Sequence, residues 1–259
     1  MPSRPLLHEL TREEARAIAR ETLVVFPVGA TEQHGPHLPV GTDYLTVEHI
    51  TRAAAQSVAD EIPVIVAPTM PFGSSHHHLP FGGTLSLSTE NYYRVMYDLC
   101  ESLISGGFGR IFIVNGHGGN NELVQLVARD LALKHPVNVA AASYWTIAWD
   151  ALVAAGAHEP GRLPGHAGIF ETSLMMALRP ELVRAPRPHR DNVTGSDPTT
   201  FYPNVRVERH GSWQEIDGFT DSPDMADAER GKRYLEAAVG AVAKAIKEFH
   251  QQSVMSDEQ

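Results

Sequence analysis

Four side chains that could bind a divalent metal ion or move a proton lie in one short stretch near the start of the chain: Glu32, His34, His37 and Asp43. Carboxylates and imidazoles are the side chains that most often hold zinc or manganese. Residues two apart on an extended segment point to the same side, so Glu32 and His34 can converge on one ion. Asp43 can join them if the backbone turns back, which the intervening Gly and Pro residues favour. This loop is therefore predicted to build half of a metal site that later segments complete.

A further candidate ligand, His117, stands in the sequence NGHGGN, which runs from Asn115 to Asn120. The motif follows an apolar run and precedes a helical pattern, so His117 is expected at the end of a strand. Glycines at such a turn let the backbone come close to a ligand, which is also how a helix N-terminus cradles a phosphate. The motif lacks both the GxGxxG spacing and the lysine of nucleotide-binding loops, so a metal site is the better interpretation.

The sequence HAGIFETS adds His166 and Glu171. Glu171 lies between Phe170 and the apolar run 174–178, where an unpaired carboxylate would be costly and a metal ion would neutralise its charge. The two residues are not in the HExxH spacing of zinc peptidases, and they fall on different sides of a helix. We therefore expect different roles for them, with Glu171 as a metal ligand and His166 as a proton shuttle.

The loop 69–89 carries Ser75 and three adjacent histidines, His76, His77 and His78. A loop this long inside a compact domain is usually functional. Three adjacent histidines are not expected to face one site together, so one or two of them are predicted at the surface. A Ser–His–Asp hydrolase is a competing interpretation, but the sequence contains no GxSxG nucleophile elbow.

Apolar runs bounded by Gly or Pro predict the strands that position these residues, at 23–28, 63–68, 110–114 and 137–142. Helical patterns cover 42–60, 91–106, 122–134, roughly ten residues from Ile169, and 227–250. Thr11 and Glu14 form a capping box at the start of an earlier helix. Strands that alternate with helices predict an α/β fold with a mainly parallel sheet and helices on both faces. Residues 184–224 lack periodicity and are predicted to be an irregular arm of a single domain spanning 1–259.

The composition is that of a soluble globular protein: 259 residues, 42% of them hydrophobic and 20% charged. The formal net charge of −10 argues against a nucleic-acid surface, which needs clustered Lys and Arg. The single cysteine, Cys100, excludes an internal disulfide and suits a reducing compartment. The sequence has no recognisable signal peptide and no apolar stretch near the ~20 residues that span a bilayer. We expect a cytoplasmic protein without a nucleic-acid or membrane partner.

With TEQHGPHLPVGTD, NGHGGN and HAGIFETS in this order, the chain resembles the creatininase (creatinine amidohydrolase) family over about residues 20–180. The loop GSSHHHLPFGGTLSL is similar to the substrate loop of that family. The resemblance implies a three-layer α/β/α sandwich that assembles as a homohexamer. It also implies two divalent metal ions per chain, zinc or manganese, with iron also suited to such ligands. The implied reaction is hydrolysis of a C–N bond in a small cyclic amide or formamide.

The resemblance assigns roles by position. The metal ligands of the family are matched by Glu32, His34, Asp43, His117 and Glu171, with Asp43 as the carboxylate that both ions share. Its catalytic histidine is matched by His166, which would take a proton from a metal-activated water and return it to the leaving nitrogen. The candidate substrate-binding residues are Ser75, His78, Gly118 and Trp145. Apart from the resemblance, Trp145 or Trp149 could supply a flat aromatic wall, and aromatic residues at these positions are equally expected in the core.

Two departures from creatininase itself concern the substrate. That enzyme has a Glu two residues after the His of NGH, where this chain has Gly119, and a tryptophan just upstream of the catalytic His, where this chain has Arg162-Leu163-Pro164. The metal centre is therefore predicted without creatinine as the preferred substrate. NGHGGN also suits formamide deformylases and the creatininase-like protein of mycofactocin biosynthesis, so a maturation or peptide-processing protein of a cofactor pathway is the alternative. A metal-stabilised scaffold is a third hypothesis, against which the open, Gly-rich loops argue.

Overall fold

The computed structural model describes residues 6–190, 200–202, 205–206 and 208–257. The main sheet contains β1 Leu23–Val28, β2 Val64–Val66, β3 Arg110–Asn115 and β4 Asn138–Ser143, and a separate pair contains β5 Thr200–Tyr202 and β6 Val205–Arg206. The helices are α1 Arg12–Ile18, α2 Thr42–Val58, α3 Thr89–Ser105, α4 Asn121–Lys134, α5 Tyr144–Ile147, α6 Trp149–Ala154, α7 Ile169–Leu178, α8 Ser212–Glu215 and α9 Ala228–Asp257. Each predicted strand and helix is present, and so is the predicted capping box before α1. No described helix has the length and apolar character needed to cross a membrane.

The strands of the main sheet lie in the order β2-β1-β3-β4, and every pairing is parallel. The central strands β1 and β3 are paired from Leu23 with Arg110 to Val28 with Asn115. Every residue of both strands is buried. Strands buried on both faces appear in a sequence as unbroken apolar runs, which is why these two could be predicted without an alternating pattern.

Side chains of the central strands alternate between two hydrophobic clusters. Val25 and Phe112 belong to a cluster formed with α2, α7 and α9. Val24 and Ile111 belong to a second cluster, formed with α3 and α4 on the other face. The sheet is therefore the middle layer of an α/β/α sandwich, as predicted.

The strand order reverses between β1 and β3. From β1 the chain crosses to β2 on one side, and it then places β3 and β4 on the other side. Open α/β sheets bind ligands in the crevice outside the carboxyl ends of their strands at such a switch point. The loops that follow Val28 and Asn115 leave the sheet at this crevice. These are the loops that carry the first two sequence motifs.

The predicted irregular arm, 184–224, falls partly outside the described residues. Its described part includes the strands β5 and β6 and the short helix α8. Residues beyond α8 return to the crevice, where the carbonyl oxygen of Gly218 accepts a hydrogen bond from Gln33 and Thr220 bonds to His166. The end of the arm is therefore part of the candidate site.

Helix α9 passes so close to α7 that only a glycine fits at position 231. A Cβ on Gly231 would lie 1.8 Å from the carbonyl oxygen of Ser173, whereas a Cβ on Gly240 in the same helix would meet no described atom within 4 Å. We expect Gly231→Ala to lower the free energy of unfolding by about 1–3 kcal/mol, because the helices must separate. Gly240→Ala is the matched control and should raise it by about 1 kcal/mol through helix propensity. Urea unfolding measures both, and equal effects would contradict the close packing.

Candidate metal centre

Four segments bring the five predicted metal ligands together at the crevice between β1 and β3. The loop after β1 carries Glu32 and His34, and Asp43 lies in the first turn of α2. The loop after β3 carries His117, and Glu171 lies in the first turn of α7. Residues far apart in the sequence thus meet at the site that the strand topology favours.

Asp43 lies between two sets of donor atoms. Its Oδ1 is 3.0 Å from Nε2 of His34, and that nitrogen is 3.7 Å from Oε2 of Glu171. Its Oδ2 is 3.0 Å from Nδ1 of His117, and that nitrogen is 3.2 Å from Oε1 of Glu32. One carboxylate therefore faces two histidines, each of which has a further carboxylate beside it. This is the arrangement expected of a carboxylate shared by two metal ions.

The donor set also fits divalent cations by its burial. The five residues range from 0% exposed for His34 to 7% for Glu171. Among the described residues, none forms a hydrogen bond with the buried Oε2 of Glu32. A buried oxygen without a hydrogen bond is costly, and a divalent cation would supply the missing interaction. Mixed carboxylate and imidazole donors suit zinc, manganese and iron.

Burial and mutual charge shift the proton affinities within this cluster. Burial raises the pKa of Glu171 to about 8, although His34 opposes the shift. Burial would lower the pKa of His34, but the charge and hydrogen bond of Asp43, together with the charges of Glu171 and Glu32, raise that pKa to about 10. Burial would raise the pKa of Glu32, but nearby histidines, His117 first, hold that pKa well below its usual range. Without a metal, protons therefore occupy His34 and Glu171 but not Glu32, and metal binding would release them.

The NGHGGN loop is fixed by its own asparagines. Asn115 accepts a hydrogen bond from the backbone N–H of His117 at 3.1 Å and donates to its carbonyl oxygen at 2.6 Å. Asn120 accepts from the backbone N–H of Ser74 at 2.9 Å. The packing is so close that a Cβ on Gly119 would lie 2.3 Å from the carbonyl oxygen of Ser74. Gly119 stands where creatininase itself has a Glu, and the close approach of Ser74 leaves room only for glycine at this position.

Two predicted substrate-binding residues, Ser75 and Gly118, lie beside His117. Oγ of Ser75 is 3.1 Å from Nε2 of His117, the ring nitrogen that does not face Asp43. Ser75 therefore orients a candidate ligand. Gly118 is exposed, and a Cβ on it would meet no described atom within 4 Å, so a bound molecule could approach its backbone.

His166 lies beside both donor sets. Its Nδ1 is 3.6 Å from Oε1 of Glu32, and its ring centroid is 4.4 Å from that of His34. Its Nε2 is 3.0 Å from the backbone carbonyl oxygen of Gln33. Burial lowers the pKa of His166 well below its usual value, so the ring is neutral. A neutral imidazole beside the candidate metal ligands suits the predicted proton shuttle.

The loop that carries His166 is clamped by the end of the arm. Oγ1 of Thr220 accepts a hydrogen bond from the backbone N–H of His166 at 2.9 Å. The fully buried carboxylate of Asp221 accepts from the backbone N–H groups of Arg162 at 2.9 Å and Ile169 at 2.6 Å. The arm thus fixes a loop on which a candidate catalytic residue depends, a role that its composition does not indicate.

His78 stacks on His166, with ring centroids 4.3 Å apart and planes at 15°. Its Nδ1 is 2.9 Å from Nε2 of Gln33. His78 is buried, whereas His76 and His77 are exposed. The prediction that one or two of the adjacent histidines lie at the surface agrees with this arrangement, and His78 is the buried member.

Trp213, in α8, forms an aromatic wall at the site and has no role in the sequence analysis. Its ring centroid lies 4.6 Å from that of His78 and 5.2 Å from that of His166, both nearly edge-to-face. Trp145, predicted for this role, packs against the core cluster and has its ring centroid 5.0 Å from that of Tyr144. The signal in the sequence is weak: Trp213 is a large aromatic residue in a polar, Gly-containing stretch.

A family model described as "Creatininase: Creatinine amidohydrolase" matches residues 8–246. A creatinine amidohydrolase of Pseudomonas putida is 31% identical over 252 residues, which cover 91% of this chain and 92% of that protein. A mycofactocin precursor peptide peptidase of Mycobacterium tuberculosis is 31% identical over 222 residues, which cover 83% of this chain and 81% of that protein. The family match includes every candidate ligand.

Solved creatininase structures share the fold. A mutant creatininase complexed with creatine has a TM-score of 0.79 at 29% identity, covering 96% of this chain and 99% of that chain. A creatininase with Mn has a TM-score of 0.78 at 29% identity, covering 95% of this chain and 98% of that chain. The similarity therefore extends over the sheet and both helical layers.

Proposed function

The chain belongs to the creatininase family of hydrolases that act on C–N bonds, and on this premise we propose that it uses two divalent ions to hydrolyse a small cyclic amide, lactam or formamide. One ion would be held by Glu32, Asp43 and His117, and the other by His34, Asp43 and Glu171. The observation that carries the proposal is the position of Asp43, whose two oxygens each lie 3.0 Å from a different histidine.

His166 is proposed to carry the proton that the reaction moves. When bound, the divalent ions lower the pKa of a water molecule and polarise the carbonyl group that it attacks. His166 takes the proton from this water as the new C–O bond forms. It then gives the proton to the leaving nitrogen as the C–N bond breaks, so the same imidazole acts first as base and then as acid.

Gln33 determines which nitrogen of His166 can take that proton. Nε2 of His166 lies 3.0 Å from the backbone carbonyl oxygen of Gln33. This carbonyl oxygen can only accept a hydrogen bond, whereas the side-chain amide nitrogen of Gln33, 3.1 Å from the same Nε2, can only donate. The two protons of that amide are used by its shorter contacts at 2.9 Å with Gly218 and His78, so we assign the ring proton of His166 to Nε2. The lone pair is then on Nδ1, the atom that lies 3.6 Å from Oε1 of Glu32. His166 thus presents its basic atom to the interior of the proposed centre.

The side-chain amide of Gln33 sets the state of His78 in the same way. The N–H of Gly35 donates to Oε1 of Gln33 at 2.9 Å, which assigns the other amide atom as nitrogen. This nitrogen donates its two protons to the carbonyl oxygen of Gly218 and to Nδ1 of His78, both at 2.9 Å. Nε2 of His78 therefore carries a proton and can donate a hydrogen bond, while burial lowers the pKa of His78 to about 3. His78 is a donor in this scheme, and His166 is the base.

Trp213 is proposed to bound the space for the substrate. Its ring meets His78 and His166 nearly edge-on, and a flat apolar wall favours a small planar amide. We expect Trp213→Ala to raise KM about tenfold, equivalent to about 1.4 kcal/mol of lost contact, with a smaller change in kcat. Trp213→Phe should restore most of the affinity. Steady-state kinetics measure both, and a loss confined to kcat would assign Trp213 a different role.

A second candidate function is cleavage of a short precursor peptide. It is favoured by the 31% identity to a mycofactocin precursor peptide peptidase, the same identity as to the creatinine amidohydrolase. Mass spectrometry of that precursor peptide after incubation with the metal-loaded protein tests it. A shortened peptide would favour this candidate over the small-amide hydrolase.

The first experiment is metal content per chain on the purified protein, followed by hydrolysis assays with added Mn²⁺ or Zn²⁺. We expect two ions per chain and turnover of at least one substrate among creatinine, formamides and lactams. Two ions with no creatinine hydrolysis would direct the search to the other two classes. A protein that binds no metal after reconstitution would refute the proposal.

We also propose, from family membership, that the chain assembles as a homohexamer. Light scattering coupled to size exclusion measures this directly. The expected mass is six times the 28.3 kDa of one chain. A monomer at micromolar concentration would contradict it.

A further inference from the structure

We propose that His77 is a fourth protein ligand of the ion held by Glu32, Asp43 and His117, and that it reaches this ion from the solvent side. The inference rests on the proposed dinuclear function. It gives a role to His77, for which the sequence motifs predict none.

The distances place His77 within reach of such an ion. One ring nitrogen of His77 and ligand atoms of Glu32 and His117 all lie within 4.8 Å of one another. The rings of His77 and His117 are parallel, with centroids 6.0 Å apart and planes at 5°. Ligand atoms of tetrahedral zinc are about 3.3 Å apart, given bonds of about 2.0–2.1 Å. A displacement of the ring nitrogen of at most about 1.5 Å would close the difference between 4.8 Å and this spacing.

The neighbouring rings of His78 and Trp213 position the His77 ring beside the site. His77 belongs to a 3-10 helix, His76–Phe81. Its ring centroid lies 4.3 Å from that of the buried His78 and 5.7 Å from that of Trp213. Trp213 thus packs against His77 as well as against the histidines of the interior.

A donor from the loop after β3 is excluded on steric grounds. A Cβ on Gly119 would lie 2.3 Å from the carbonyl oxygen of Ser74 and 2.6 Å from Nε2 of His117. No side chain can therefore extend from position 119 toward this ion. The histidine run, on the neighbouring loop, is a segment that can add a donor atom from the solvent side.

With His77 the two proposed ions differ in their ligands. The ion at Glu32, Asp43 and His117 gains a fourth protein ligand, which is the number found in closed zinc sites. The ion at His34, Asp43 and Glu171 keeps three, which is the number found where a coordination position stays open for water or substrate. The first ion would therefore be bound more tightly, and the second would keep a coordination position open.

The test is a metal titration of the full chain with a matched control. Wild-type protein, His77→Ala and His76→Ala are stripped of metal and titrated with Zn²⁺ against a chromophoric chelator. His76 is the control because it is adjacent and exposed, and its Nδ1 lies 2.8 Å from Oγ of Ser86. We expect His77→Ala to bind one of two ions at least about tenfold more weakly, with the other unchanged. His76→Ala should match wild type.

The outcomes separate this inference from the proposed function. Two ions bound by His77→Ala with wild-type affinities would overturn the role of His77 and leave the dinuclear centre intact. A wild-type protein that binds no ion would overturn the proposed function and this inference with it. The absorption spectrum of the Co²⁺-loaded protein gives an independent readout, since loss of a nitrogen ligand should change its visible bands in His77→Ala and not in His76→Ala.

Discussion

Asp43→Ala is expected to remove both metal ions and to reduce kcat/KM by at least about 10³-fold, because the loss of metal removes the Lewis acid from the reaction. Each oxygen of Asp43 lies 3.0 Å from the histidine of one donor set, so one substitution takes a ligand from both. Metal content after dialysis and steady-state kinetics measure the effect. Full activity in the variant would refute the shared-ligand role.

Two further variants isolate the contribution of the carboxylate. Asp43→Asn keeps the shape of the side chain but loses its charge, so we expect it to retain fewer than two ions. Glu48→Ala removes a different carboxylate from the same helix. The carboxylate of Glu48 bonds to Arg52 rather than to the site. It should keep both ions and wild-type activity. Loss of metal in Glu48→Ala would indicate a general effect of charge or folding.

His166→Gln is expected to keep both ions and to lower kcat by about 10²–10⁴-fold, the range for loss of a general acid–base group. A glutamine can still donate to the carbonyl oxygen of Gln33, which Nε2 of His166 contacts at 3.0 Å. It offers no base at the position of Nδ1. Metal content and single-turnover rates therefore separate proton transfer from metal binding.

The contrary outcome for His166 is specific. Donor atoms of Glu32, His34 and His166 also lie within 4.8 Å of one another, so this histidine could act as a ligand. Loss of an ion in His166→Gln would assign it to the metal instead of the proton. His76→Ala serves again as the control for removal of a histidine from the loop region, and it should retain both ions and the wild-type rate.

The sheet could be predicted because the sequence itself marks where its central strands begin and end. Leu23–Val28 is an unbroken apolar run that ends at Gly29, and the strand has those bounds. Helix α7 begins at Ile169 as predicted, which puts Glu171 in its first turn. Both patterns are local: burial on two faces needs an apolar run, and a helix needs periodicity.

The walls of the site could not be predicted because they depend on contacts between distant segments. Trp213 lies in a polar stretch without periodicity, and its contact with His78 exists only because the arm returns to the sheet. Gln33 stands inside the first motif, yet its role follows from three partners spread over the chain, Gly218, His78 and His166. A single sequence carries no signal for such pairings. Trp145 is the opposite case. The sequence suggested that its ring lines the site, whereas in the structure it packs against the core cluster.

The close packing of α9 has a consequence for the biogenesis of the protein. This helix packs against both α2 and α7, the helices whose first turns carry Asp43 and Glu171. Every candidate ligand is translated before Ala228, where α9 begins. Chains fold during synthesis from the N-terminal side, so the faces that α2 and α7 share with α9 stay uncovered on the ribosome until this helix emerges. We therefore expect any metal insertion to be a late event, which follows the translation of α9.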